Sequence, residues 1–216
     1  MRVFYLHGFA SSSASSKAGF FASRLAEHGL ELHTPDFNEP DFSTLTITRM
    51  IRQVCAQVDA RREDPAVLIG SSLGAFVGVQ SALQRPGHVA RLILLAPALD
   101  FGGNRMRSLG DRGLEEWRRT DRLEVFHYGY GRVMPVHYEL YADARRYDSM
   151  DASLSMPVQV FQGRNDASVD ADTVERWSRA RPNGVDLHLL EDDHQLLSSL
   201  DYIWGEMARF LRLRSP

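Results

Sequence analysis

The chain is poor in cysteine and in lysine. Cys55 is the only cysteine, and Lys17 is the only lysine among the 25 basic residues of a 216-residue sequence. A lone cysteine excludes an intrachain disulfide, and the apolar helical pattern around Cys55 predicts a packed side chain rather than a reactive one. The preference for arginine over lysine fits a bias in genome composition, and no chemistry is predicted from it.

Long apolar runs and long basic runs are also missing. No stretch approaches the roughly 20 apolar residues that a membrane span requires, and the opening MRVFYLHGF lacks the pattern of a secretory leader. With a formal net charge of −3 and scattered arginines, the chain has no electrostatic footprint for nucleic acid. We therefore expect a cytoplasmic protein with no membrane span and no nucleic-acid partner.

Short apolar runs rich in β-branched residues alternate with longer segments of helical period. This alternation is typical of βα units around a mainly parallel sheet flanked by helices, within a single domain over residues 1–216. Six strands are predicted near 3–6, 30–34, 67–70, 92–95, 158–161 and 187–190. Helices are predicted near 16–28, 43–59, 73–83, 171–180 and 196–213. The exception is 101–148, which holds no convincing strand and predicts an insertion with a function of its own.

The strongest motif is Gly70-Ser71-Ser72-Leu73-Gly74. It follows the apolar run AVLI and opens the apolar segment LGAFVGVQSAL, so it occupies a strand, a sharp turn and a helix in succession. A nucleophile elbow needs that context, because a strained turn must present the central hydroxyl while flanking glycines leave room for the crossing elements. The motif predicts Ser72 as a nucleophile, and a glycine-rich turn without catalysis is the alternative.

A serine nucleophile needs a base and an orienting acid, which in such a fold follow in the order Ser, Asp or Glu, His. Asp166 stands in GRND, directly after a predicted strand, and His194 stands in EDDH, after the next one. The carboxyl ends of parallel strands meet at one edge of the sheet, so we expect both side chains near Ser72. Asp170 remains open as the alternative acid.

The oxyanion formed during acyl transfer needs two backbone donors. One comes from the residue after the nucleophile, Leu73, and the other from the loop after the first strand, which predicts Phe9. His7 ends that strand and is expected to brace the loop by hydrogen bonding rather than to act as a base.

The segments YLHGF, IGSSLGAF, QGRND and DDHQL resemble those of the small YqiA/YcfP-like α/β-hydrolases, which are compact esterases. The resemblance covers most of the chain except the insertion. The chain is also similar to depalmitoylating α/β-hydrolases, which share a GSSLG elbow and a comparable cap. The resemblance implies the α/β-hydrolase fold and hydrolysis of an ester or thioester without a cofactor. It also implies a triad of Ser72, Asp166 and His194, with Phe9 and Leu73 as oxyanion donors.

These patterns predict a serine hydrolase that cleaves a small-molecule acyl ester or thioester through an acyl-enzyme on Ser72. The histidines show no metal-ligand spacing, so no metal is expected. We expect 101–148 to form a small cap in which Tyr128, Tyr130 and Tyr138 contact the acyl chain; alternatively, its aromatics pack the cap's own core. A binding protein that has lost catalysis and a C–C bond hydrolase with the same triad remain open. The acyl group, the leaving group and the oligomeric state are not indicated.

Overall fold

The computed structural model describes residues 1–101, 109–181 and 184–213. The strands in the described residues are β1 (Arg2–Leu6), β2 (Leu32–His33), β3 (Ala66–Ser71), β4 (Val89–Leu95), β5 (Leu123–His127), β6 (Arg132–Val136), β7 (Val158–Gly163) and β8 (Asp186–Leu190). Six of them form one parallel sheet in the order β2-β1-β3-β4-β7-β8. The predicted mainly parallel sheet of about six strands is confirmed.

Helices surround this sheet in the described residues. They are α1 (Ser16–Ala26), α2 (Ile47–Asp59), α3 (Leu73–Gln84), α4 (Gly110–Thr120), α5 (Glu139–Ala144), α6 (Ala171–Arg179) and α7 (Leu200–Leu211), with a short 3₁₀ helix at Phe42–Thr44. No helix in these ranges has the length and the apolar character needed to cross a membrane.

The core lies on both faces of the central sheet. Every residue of β1 and β3 is buried, as expected for parallel strands that are covered on two sides. Alternation along β3 sends Leu68 to one apolar cluster, where it joins α2 and α3, and sends Val67 and Ile69 to the other, where they join α1 and α7. The sheet is therefore a rigid support for the loops at its edges.

Two helices begin later than their predicted first residues. The second helix begins at Ile47 rather than 43, because the Thr46 side chain accepts a hydrogen bond from the Arg49 N–H at 3.1 Å and caps it. The last helix begins at Leu200 rather than 196, and Leu196 has a φ of 55°, which a helix cannot contain.

The prediction that 101–148 lacks strands is wrong. β5 and β6 pair as an antiparallel hairpin, with Phe126 opposite Val133 and Glu124 opposite Pro135. A proline is compatible with this pairing because both strands of a two-stranded sheet have a free edge. Residues 102–108 of the predicted insertion lie outside the described residues.

Candidate active site

The turn between β3 and α3 has an unusual backbone. Ser72 has φ 53° and ψ −115°, a conformation that few residues other than glycine adopt. A Cβ on Gly74 would lie 2.0 Å from the carbonyl oxygen of Leu6, and a Cβ on Gly70 would lie 2.5 Å from Ala75 Cα. These obstacles are backbone atoms, so only glycine fits at either position. The sequence GSSLG thus forms the sharp strand–turn–helix junction that its pattern predicts.

Two hydrogen bonds hold the Ser72 backbone in this conformation. Its N–H donates to the Leu95 carbonyl at 2.9 Å, and its carbonyl accepts from the Ala98 N–H at 3.2 Å. Both partners belong to the end of β4 and the turn that follows it. The neighbouring strand therefore imposes the strained turn from outside.

The Ser72 hydroxyl is the first member of a hydrogen-bonded chain of three side chains. His194 Nε2 lies 3.1 Å from Ser72 Oγ, and His194 Nδ1 lies 2.8 Å from Asp166 Oδ2. The Asp166 side chain is fully buried, whereas 20% of the His194 side chain is exposed. Because a carboxylate only accepts hydrogen bonds, Nδ1 carries the ring proton and Nε2 is left to accept a proton from the serine. The arrangement is chemically able to generate a serine nucleophile.

Asp166 is held by more than His194. Its Oδ1 accepts from the Ser168 and Val169 N–H groups at 2.7 and 2.8 Å, and its Oδ2 also accepts from Gln162 Nε2 at 3.0 Å. Burial raises the pKa of Asp166, but the hydrogen bonds from His194 and from the two backbone N–H groups outweigh burial and hold it below its ordinary value. Asp166 therefore stays ionised in mildly acidic solution.

The alternative acid, Asp170, has a different task. Its carboxylate accepts from the Asp172 and Thr173 N–H groups at 3.3 and 3.1 Å and caps the N-terminus of α6. Of the two acids considered, Asp166 is the one that accepts the hydrogen bond from His194.

His194 lies on the loop between β8 and α7, which we call the histidine loop (191–199). The Asp192 carbonyl accepts from the Asn165 N–H at 3.1 Å, and its side chain accepts from Ser199 Oγ at 2.8 Å. The loop passes so close to β7 that a Cβ on Gly163 would lie 2.4 Å from the Asp192 carbonyl oxygen. On the far side of His194, the Lys17 ammonium donates to the Gln195 carbonyl at 2.9 Å.

The two predicted oxyanion donors belong to chain segments that adjoin the serine. Leu73 is the first residue of α3, where an N–H has no acceptor within the helix and the helix dipole favours negative charge. Phe9 follows Gly8, whose added Cβ would lie 3.3 Å from Ser72 Cβ. His7 Nε2 accepts from the Phe37 N–H at 3.0 Å and its Nδ1 lies 2.9 Å from the Gly8 carbonyl, so His7 braces this loop as predicted.

The hairpin of β5 and β6 is fastened to the same loop. The Gly129 N–H donates to the Ala10 carbonyl at 3.4 Å. His127 Nε2 lies 3.1 Å from Asn38 Oδ1, and Asn38 Nδ2 donates to the Ser11 carbonyl at 2.9 Å. The tip of the hairpin therefore packs beside the loop that carries Phe9.

The three predicted acyl-contacting tyrosines do not form one cluster. Tyr128 is 77% exposed and Tyr130 is 44% exposed, the latter stacked on His127 at 4.1 Å between ring centroids. Tyr138 instead packs edge-on against the buried Trp117 at 5.6 Å. Tyr138 thus belongs to the packing of the insertion, while the other two lie at the hairpin tip.

Two residues near the site did not emerge from the sequence patterns. Gln162 lies in the fully buried β7 and contacts Asp166, but nothing distinguishes it from other strand residues in the sequence. Lys17 is conspicuous in the sequence as the only lysine. Its contact with the Gln195 carbonyl was not predictable from a local pattern, because the two residues are 178 positions apart.

The sequence profile of the Uncharacterised protein family (UPF0227) matches residues 2–208. Lipase LipV of Mycobacterium tuberculosis (strain ATCC 25618 / H37Rv) is 31% identical over 130 residues, which are 57% of this chain and 48% of the lipase. The mitochondrial palmitoyl-protein thioesterase ABHD10 of Bos taurus is 24% identical over 164 residues, which are 72% of this chain and 53% of the thioesterase. The chain thus spans about half the length of the curated relatives that it matches.

A solved structure shares the architecture over most of the chain. Alpha/beta hydrolase domain-containing protein 10 from mouse superimposes with a TM-score of 0.80 at 19% identity, covering 97% of this chain and 89% of the mouse chain. The chain therefore has the α/β-hydrolase fold.

Proposed function

We propose that this chain, which belongs to the uncharacterised protein family UPF0227, is a serine hydrolase that cleaves a carboxylic ester or thioester through an acyl-enzyme on Ser72. The observation that carries the proposal is the continuous hydrogen-bonded chain from Asp166 through His194 to Ser72, at 2.8 and 3.1 Å. Such a chain activates serine because the base accepts the hydroxyl proton while the acid fixes its tautomer.

In the first half-reaction, Ser72 Oγ attacks the carbonyl carbon of the substrate and its proton passes to His194 Nε2. The oxygen of the tetrahedral intermediate becomes negative, and the Leu73 and Phe9 N–H groups are the donors that would stabilise it, each by about 3 kcal/mol. The intermediate then collapses as His194 returns the proton to the departing alcohol or thiol. The acyl group is left as an ester of Ser72.

In the second half-reaction, a water molecule gives a proton to His194 and its oxygen attacks the acyl-enzyme. Collapse of this intermediate releases the carboxylic acid and restores the proton to Ser72. Every step uses side chains and backbone groups of this chain, so the cycle needs no cofactor and no metal.

The relatives support this reaction class by their names. LipV is named a lipase and bovine ABHD10 a palmitoyl-protein thioesterase, and esters and thioesters share the acyl transfer described above. We propose that residues 101–148 form a cap, and that Tyr128 and Tyr130, at the tip of its hairpin, contact the acyl chain.

The test uses matched substrates. Purified protein and its Ser72→Ala variant are given nitrophenyl esters of increasing acyl length, and acyl-CoA thioesters with the same acyl groups. We expect turnover of at least one series by the wild type and a loss of several orders of magnitude in the variant. Comparable turnover by the variant would contradict the proposal, and so would an inert wild type, which a non-catalytic binding protein predicts.

A further inference from the structure

The only lysine of the chain is buried. Lys17 is the second residue of α1 and is 8% exposed, and its ammonium donates to the Gln195 carbonyl at 2.9 Å. Gln195 directly follows His194. The contact therefore links the first helix to the loop that carries the base.

Fold stability does not account for a lysine at this place. Burying an ammonium removes it from water, which destabilises the folded state unless paired charges compensate. The position is also unfavourable because the N-terminal end of a helix repels positive charge. Elsewhere the chain uses arginine for its basic side chains, so this lysine stands out both by its type and by its placement.

The surroundings of the ammonium are acidic and belong to the candidate active site. Asp193 and Asp192 on the histidine loop and Asp166 on the loop after β7 act on it through their charges, and His194 lies within the same loop. Burial lowers the pKa of Lys17 to about 8, an effect that these three carboxylates oppose.

The histidine loop is also fixed at other points, at Asp192 before His194 and at Leu196 after it, which is fully buried and donates from its N–H to the Asp193 carbonyl at 3.3 Å. Asn165 and Ser199 both bind Asp192, two residues before the base. After the base, the Gln195 N–H turns back to Asp193 Oδ1 at 2.7 Å, while its carbonyl points to Lys17. The ammonium thus holds the backbone of Gln195, the residue between the base and the buried Leu196.

We propose that Lys17 is a positioning residue whose ammonium holds the Gln195 carbonyl and so keeps His194 Nε2 within hydrogen-bonding distance of Ser72 Oγ. The inference rests on the function proposed above and adds to it a dependence on the charge of one amine. A compact ammonium suits a single carbonyl acceptor in a narrow site, whereas the planar guanidinium of arginine presents five donors in a fixed fork.

This role has consequences for activity and stability at alkaline pH. Activity should fall as pH rises through about 8, where Lys17 loses its charge. Stability should change in the opposite sense. The pKa of Lys17 in the folded chain, about 8, lies below the ordinary lysine value of 10.5 that applies to the unfolded chain. Between these two pH values the folded chain binds fewer protons than the unfolded chain, so the free energy of unfolding increases as pH rises.

The first experiment compares Lys17→Met and Lys17→Arg with the wild type from pH 6 to 9.5. We expect Lys17→Met to lower kcat about 10- to 100-fold with little change in KM, because a displaced base slows chemistry rather than binding. Its Tm at pH 7 should change little, since replacing a buried charge by an apolar side chain of similar size is often neutral. The decline above pH 8 should be absent from both variants, and Lys17→Arg should recover part of kcat.

The matched control is Arg24→Met. Arg24 lies on the same helix and binds Asp201 on α7 at 2.7 Å, so this variant also removes a cation that links α1 to another element. We expect wild-type kcat and an unchanged pH profile. A wild-type kcat and an intact alkaline decline in Lys17→Met would overturn the proposal, and so would an equal loss in the control.

Two further measurements decide the matter even if the wild type proves catalytically inert. With one lysine in the chain, selective isotope labelling gives a single side-chain NMR signal, whose titration should centre near pH 8 rather than 10.5. Amide hydrogen exchange of residues 192–199 should quicken in Lys17→Met and not in Arg24→Met. If the Lys17 signal titrates near 10.5 and amide exchange of residues 192–199 is unchanged in Lys17→Met, the role of Lys17 is refuted. If the wild type shows no Ser72-dependent turnover but these two measurements come out as expected, only the proposed function is refuted.

Discussion

Replacing Asp166 by asparagine tests the hydrogen-bonded chain most severely, because the change is nearly isosteric. The carboxylate accepts four hydrogen bonds, from the Ser168 and Val169 N–H groups, from Gln162 and from His194. Asparagine has one oxygen and one NH₂ group where aspartate has two oxygens, so two of the four hydrogen-bond donors would meet the NH₂ group instead of an acceptor.

The structure indicates which two donors would meet the NH₂ group of the asparagine, and which of them can adapt to it. The two backbone N–H groups cannot change, and Gln162 Nε2 is also engaged with the Gly163 and Val169 carbonyls. His194 is the partner that adapts easily, by moving its proton from Nδ1 to Nε2 so that Nδ1 accepts from the new NH₂. The proton then faces Ser72 Oγ, and the imidazole can no longer take a proton from the serine.

The expected loss in kcat is about 10⁴-fold, which corresponds to about 5.5 kcal/mol of transition-state stabilisation. It is measured with the best ester or thioester from the substrate series, and ¹⁵N NMR of the histidine rings reports the tautomer. Asp170→Asn is the matched control, because asparagine caps a helix about as well as aspartate and α6 should be undisturbed.

Retention of more than about a tenth of wild-type turnover in Asp166→Asn would refute the assignment of the acid. A comparable loss in Asp170→Asn would do the same. A large loss in which His194 kept its proton on Nδ1 would leave the acid assigned but refute the tautomer argument.

Three other predictions concern the elbow, the base and the cap. Gly74→Ala should destabilise the fold by about 3 kcal/mol or more, because its Cβ would meet the Leu6 carbonyl. The control is Gly78→Ala on the same helix, which should be tolerated because its Cβ would lie 3.4 Å from the nearest side chains. Equal Tm values for the two variants would refute the close approach of Gly74 to Leu6. The pKa of Asp166 is held below its ordinary value, so this carboxylate stays ionised in mildly acidic solution. His194→Ala should lower kcat by several orders of magnitude because nothing is left to take the serine proton, and retained turnover would remove His194 from the role of base. Tyr128→Ala and Tyr130→Ala should shift the preferred acyl length while acetate esters are still cleaved, since each methylene buried against a tyrosine contributes roughly 0.8 kcal/mol to binding. Tyr138→Ala should instead lower Tm, because Tyr138 packs on Trp117. An unchanged length profile in Tyr128→Ala and Tyr130→Ala would place the acyl pocket elsewhere.

The elbow and the sheet were predictable because their signals are local. Gly70 and Gly74 flank Ser72 between an apolar strand and an apolar helix, and five residues suffice to specify that turn. Asp166 and His194 were predictable because parallel strands end at a common edge, which brings residues distant in sequence to one place. The distances to Ser72 could not be predicted from the sequence, since they depend on how closely Gly163 lets the histidine loop approach β7.

The parts that were missed depend on tertiary contacts. No convincing strand was predicted in 101–148, yet β5 and β6 pair there, because a two-stranded sheet tolerates a proline at its edge. The start of α7 was placed four residues too early because Leu196 is apolar and fits the helical period, although its positive φ is set by the loop around it. The contact of Lys17 with Gln195 joins the two ends of the chain, and no local pattern encodes it.

The central claim is that Ser72 is an activated nucleophile, and covalent labelling tests it most directly. Wild-type protein, Ser72→Ala and His194→Ala are treated with a fluorophosphonate, and intact mass and peptide mapping locate the adduct. We expect one adduct per chain, on Ser72, none in Ser72→Ala, and labelling slowed by orders of magnitude in His194→Ala. An unlabelled wild type, or an adduct that persists in Ser72→Ala, would contradict the assignment of Ser72 as the nucleophile.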